Sequence, residues 1–124
     1  MSTPALDRDA LVELLDGNPG LIVTIVDAFF DDCSDYMAAI RAAVEAEDAD
    51  RLKREAHGLK GATGSLRAGP ARDAAGVLEE MGQTGDFTES DAALEALERE
   101  IDRLREALHA LKADCEEELR QGDG

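Results

Sequence analysis

Within the stretch "AHGLKGATGS", Ala56 to Ser65, one histidine and one lysine stand among three glycines. His57 is the residue with chemistry to offer, because a neutral imidazole is both a nucleophile and a proton carrier near physiological pH. Lys60, one helical turn further on, brings a cation within reach of anything that the imidazole holds. The glycines are the anomaly. Each glycine inside a helix costs roughly 1 kcal/mol against alanine, so Gly58, Gly61 and Gly64 need a reason.

A helical projection supplies one. Leu52, Ala56, Leu59, Thr63 and Leu66 fall within about 40° of a common direction, which must be the core face. His57 then lies about 140° from that direction, Gly61 about 180°, Gly64 about 120° and Lys60 about 80°. The histidine is expected to face solvent, and its neighbours at i+4 and i+7 carry no side chains. Gly61 and Gly64 thus clear a flat approach to an exposed imidazole, where another macromolecule's backbone or active-site wall can come close. Gly58 does not share the histidine face and has no reading beyond fit. The second histidine, His109, sits among Glu106, Arg105 and Lys112 without glycines and reads as a solvated surface residue.

Two other chemistries fail on spacing. A phosphate-binding loop needs four residues between its glycines, then Lys and Ser or Thr, after a buried strand. Here Gly58 and Gly64 lie further apart, Lys60 falls between them, and an amphipathic helix precedes them. A metal site lacks ligands, since no Cys, His or carboxylate stands at ligand spacing from His57 on its face.

The rest of the chain is built to position this face. Its 124 residues make one domain, with 3% aromatics and no Trp, the composition of packed amphipathic helices. The expected architecture is all-α: an antiparallel four-helix bundle with an additional short N-terminal helix. That first helix spans about Leu6 to Leu15, with Leu6, Ala10, Leu11 and Leu14 on its stripe, and is expected to start from Thr3 before Pro4. A second runs from about Pro19 to Glu47 on Ile22, Val26, Phe29 or Phe30, Cys33, Met37, Ile40 and Val44. Asp48 caps the third, which reaches about Leu66. The fourth starts at Pro70, buries Ala71, Ala74, Ala75, Leu78 and Met81, and ends in "MGQTGD". Thr88 or Ser90 caps the last, whose stripe is Leu94, Leu97, Ile101, Leu104, Leu108, Leu111 and Cys115. The bundle core is expected over about 19–115, with 120–124 a disordered tail.

Cys33 and Cys115 lie in helical patterns and read as small core residues in a reducing cytoplasm. No signal peptide and no membrane-spanning run appears, so a cytoplasmic protein is expected; it is separately expected to be a monomer. The net charge of −16 argues against nucleic acid and anionic membrane as partners. Its distribution matters more. Arg51, Lys53, Arg54, Lys60, Arg67 and Arg72 face a single acid, Glu55, within their window, whereas the remainder is strongly acidic. This basic island surrounds His57 and fits an acidic partner surface.

With these residues in place, the sequence resembles the histidine-containing phosphotransfer (HPt) domains of two-component phosphorelays. The motif is His57-x-Leu59-Lys60-Gly61-Ala62, and the layout matches from about Pro19 to Leu111: the "AFF" helix, Asp48 ahead of the histidine helix, "LEEMG" after it, and a long final helix. The resemblance implies that His57 accepts a phosphoryl group on Nε2 from an aspartyl phosphate of a receiver domain and passes it to another receiver. Lys60 would offset phosphoryl charge. Gly61 and Gly64 would admit the receiver's acidic pocket, whose Mg²⁺ belongs to the receiver, so the chain itself needs no cofactor. Glu79 would accept the Nδ1 proton and fix the tautomer. Lys53, Arg54 and Arg67 would meet the receiver's acidic face. The family usually has glycine where Arg67 follows Leu66, so the turn between the third and fourth helices is expected to differ in shape.

The implied protein is a carrier and not an enzyme, with no machinery for ATP. Two alternatives stand beside it. One is a helical interaction or dimerisation module with a vestigial His57. The other is a donor domain of a chemotaxis-type kinase, disfavoured by an intact Met1 and by the absence of further domains.

Overall fold

The apolar periodicities resolve into five helices, described over residues 3–122 of a computed structural model. They are α1 (Arg8–Leu14), α2 (Pro19–Ala46), α3 (Ala49–Ser65), α4 (Gly69–Thr84) and α5 (Ser90–Gly122). No strand occurs among the described residues.

Three helix starts follow local rules. Asn18 accepts a hydrogen bond from the Leu21 amide, with Pro19 in the first turn of α2. Asp48 accepts from the Arg51 amide at 3.1 Å and so fixes the start of α3. Pro70 stands in the first turn of α4, which ends where Gly85 turns left-handed with φ of 75°.

The N-terminal helix departs from expectation. It begins at Arg8, capped by Asp7, and not beside Pro4. Long-range contacts hold the preceding segment out of helix: Arg103 donates to the Thr3 carbonyl at 2.7 Å, and the Asp7 amide donates to the Arg67 carbonyl at 3.0 Å. This seats Ala5, Leu6 and Leu11 in the interior, whereas Leu14, expected on the same stripe, is exposed.

The last helix also differs at both ends. Ser90 is its first helical residue and is buried. The preceding turn is held by the Asp86 carboxylate, which accepts from both the amide and the hydroxyl of Thr88. At the other end the expected disordered tail is helical as far as Gly122, where Glu117 pairs with Arg120 and accepts from Gln121. The remainder of that tail, 123–124, lies outside the described residues.

In the bundle, α2 packs on α3 and α5, and α4 packs on α3 and α5. Along α2, Asp27 meets Lys112 and Arg41 meets Glu98, so α2 and α5 run in opposite directions. Phe29 is the buried phenylalanine. The Phe30 ring stacks on His109 with 4.4 Å between ring centroids, so His109 covers apolar surface and is not merely solvated. Cys33 and Cys115 are buried and unpaired, and desolvation pushes both thiols up from their ordinary range. No described helix is long and apolar enough to cross a membrane.

Candidate functional site

The site begins with the rotation of α3. Leu52, Ala56, Leu59 and Thr63 are buried, the Thr63 hydroxyl being satisfied by the Leu59 carbonyl at 2.8 Å. With that stripe inward, His57 must face outward, and its side chain is 72% exposed.

Four contacts set α4 against α3 in a single antiparallel register. Gly82 faces the backbone of Lys53, Glu79 meets His57, Gly76 lies beside the stem of Lys60, and Arg72 crosses Gly64. Gly82 permits the closest approach, for a methyl group there would stand 2.5 Å from the Lys53 amide nitrogen. Small residues thus bring α4 near enough for one short carboxylate to reach the outer face of α3.

Glu79 joins the histidine and the lysine of the motif. Its Oε2 contacts Nδ1 of His57, and its Oε1 accepts from Lys60 Nζ at 2.7 Å. The Lys60 hydrogen bond, then that of His57, holds the Glu79 carboxyl below the usual carboxylate range. An ionised carboxylate only accepts hydrogen bonds. Nδ1 therefore carries the proton, and in the neutral ring Nε2 presents a lone pair on the exposed side. The arrangement is an exposed imidazole with a carboxylate behind it and an ammonium beside it. Among the described residues there is no cluster of three or more metal-ligating side chains.

The three glycines of α3 have three different surroundings. At Gly61 nothing lies within 4 Å of the position a Cβ would take, so the wall beside His57 is open there. At Gly64 the expected bare wall is occupied, because Arg72 Cδ would be 3.2 Å from such a carbon. Gly58 receives the Tyr36 ring from α2, whose atoms would stand 2.5–2.9 Å from a Cβ. Tyr36 is a supporting residue that sequence patterns miss, whereas Arg72 shows there only as a member of the basic island and Gly82 only within the quoted "LEEMG"; the packing role of each lies against a neighbouring helix.

The basic residues are spread around this face. Lys53 and Arg54 are exposed, and Arg54 pairs with the adjacent Glu55 at 3.6 Å, an exposed contact of little energetic weight. Arg67 ends α3 with φ of 63°. In the turn between α3 and α4 an arginine thus takes a left-handed conformation.

Fold and site together define a class: helical bundles that display one oriented imidazole on an outer wall. The chain belongs to the Hpt domain family, whose model matches residues 24–114, a span that holds His57, Lys60 and Glu79 and leaves α1 outside. Among solved structures it is similar to histidine-containing phosphotransfer protein B (HptB) from Pseudomonas aeruginosa PAO1. That likeness has a TM-score of 0.84 at 26% sequence identity, covering 91% of this chain and 98% of that one. No curated protein matches the chain.

Proposed function

We propose that this protein is a phosphoryl carrier of a two-component phosphorelay, built as an antiparallel four-helix bundle with α1 added. His57 takes a phosphoryl group from the aspartyl phosphate of one receiver domain and gives it to the aspartate of another. The observation that carries the reading is the contact between His57 Nδ1 and Glu79, which leaves Nε2 as the free, outward nucleophile.

In the forward step Nε2 forms a bond to phosphorus as the bond from phosphorus to the aspartyl oxygen breaks, and the receiver's carboxylate leaves. Positioning and charge stabilisation are the main requirements of such a transfer. Nδ1 keeps its proton, and the positive charge that develops on the ring is offset by Glu79 behind it. Lys60 has three donors, so it can hold Glu79 and still donate to a phosphoryl oxygen. Gly61 leaves room for the receiver's acidic pocket, and the receiver supplies the Mg²⁺. Lys53 and Arg54 meet its acidic rim and speed encounter in a salt-dependent way. The carrier works as a cytoplasmic monomer.

The test is to mix the protein with a phosphorylated receiver. Label should pass to an acid-labile, alkali-stable species on the wild type and to none on His57→Gln. Label persisting on that variant rejects His57. Lys60→Ala should slow transfer about tenfold with helicity unchanged, and a rate equal to wild type removes Lys60 from the site.

A further inference from the structure

Two helical turns beyond His57, on the same side of α3, lies a cleft of about 580 Å³. It has three walls. The segment Thr3–Asp9 forms one, the C-terminal end of α3 with Gly64 and Arg67 another, and the start of α4 with Arg72 the third. The first wall lies outside the family match. It is nonetheless firmly attached, through the Asp7 amide on the Arg67 carbonyl, Arg103 on Thr3, and Arg8 on Asp114 at 2.6 Å.

Three arginines line this cleft, and they are not equivalent. Arg8 is engaged by Asp114, and Arg72 makes only a 3.3 Å contact with its exposed neighbour Asp73. Arg67 makes no ion pair among the described residues. Of the lining acids, Asp7 is turned into the cap of α1 and Asp9 is exposed. Two features place basic side chains here against local preference. Arg67 holds a left-handed conformation that glycine would adopt without strain, and Gly64 gives up its side chain so that Arg72 can lie across α3. Arg67 is exposed as well as left-handed, so its guanidinium is free to meet a partner, and a backbone held in a sparsely populated region is a sign of use.

We propose that this cleft is a second docking point for the receiver domain, taking an acidic segment of it through Arg67 and Arg72, and that it selects among receivers. The inference rests on the carrier reading of His57. A stable protein interface covers about 800 Å² on each partner, a disc of roughly 16 Å radius. The cleft starts about 10 Å along α3 from His57, so a receiver aligned for transfer lies over it. Charge complementarity then fixes which receiver fits, since like charges at that point would be repelled.

The decisive variant is Arg67→Gly, which relieves the backbone and should melt no lower than wild type. Its transfer from a phosphorylated cognate receiver should lose about tenfold in kcat/KM through KM, with a weaker salt dependence. Arg67→Lys should recover most of that loss, and Arg72→Ala should act in the same direction as Arg67→Gly. Unchanged KM and salt dependence in Arg67→Gly and Arg72→Ala, with wild-type transfer intact, would overturn the cleft and leave the carrier standing. A loss confined to kcat would overturn it too, by pointing to displacement of His57. Wild-type protein that takes no label from any receiver would remove the carrier reading and this inference with it.

Discussion

Gly82 of α4 lies against Lys53 of α3 so closely that a methyl group would meet the Lys53 amide nitrogen at 2.5 Å and the Ala49 carbonyl oxygen at 2.8 Å. Both obstacles are backbone, so neither can swing away. Gly82→Ala must push α4 outward, at a cost of about 1–3 kcal/mol beyond anything gained in helix propensity. Urea unfolding should show the loss, and phosphotransfer should slow in step because Glu79 moves with its helix.

Gly58 poses a softer version of the same conflict, for what it faces is the ring of Tyr36. In the wild type, Gly58→Ala should destabilise, since the ring has to leave its place. In a Tyr36→Ala background the same change meets no ring and should stabilise by up to about 1 kcal/mol, the helix-propensity gain. A double-mutant cycle measured by thermal or denaturant unfolding should therefore show a reversal of sign. The same sign in both backgrounds would show that the ring does not set the choice of glycine.

Gly61 is the contrasting case, with open space where its side chain would be. Gly61→Ala should raise stability by up to about 1 kcal/mol and slow transfer from a receiver, because the added methyl stands on the wall beside His57. A variant both more stable and equally fast would deny that the open wall is used.

Acid titration tests Glu79. Hydrogen bonds from Lys60 and His57 lower its pKa in the folded state, so its contribution to stability is present above the ordinary glutamate value of about 4.3. That contribution is lost as the pH falls through the lowered folded value. Wild type should exceed Glu79→Gln in melting temperature at neutral pH, and the two should converge as the medium is acidified. A gap that persists in strong acid would assign the effect to packing.

The rotation of α3 is readable in the sequence because four apolar residues and Thr63 at helical spacing determine it, and the outward direction of His57 follows. Asp48 and Pro70 mark helix starts through chemistry confined to a single turn. The surroundings of Gly58 and Gly64 are not readable in that way. Nothing within α3 distinguishes a glycine left empty from one covered by Tyr36 of α2 or by Arg72 of α4. The start of α1 is hidden for a similar reason: Pro4 is a sound local signal, but hydrogen bonds to Arg67 and Arg103, far along the chain, hold the segment out of helix. At the far end of α5 the helix continues to Gly122, where exposed side chains pair around Glu117.

His57, Lys60 and Glu79 all come from the α3–α4 hairpin, while α2 and α5 complete the interior behind it. Chemistry and scaffolding are thereby encoded in separable parts of the chain. The outer surfaces of α2 and α5 can drift in sequence without touching His57, Lys60 or Glu79, provided that their inner stripes keep their volume. New specificities can accordingly be written on the margins of the hairpin, leaving the imidazole and its carboxylate as they are.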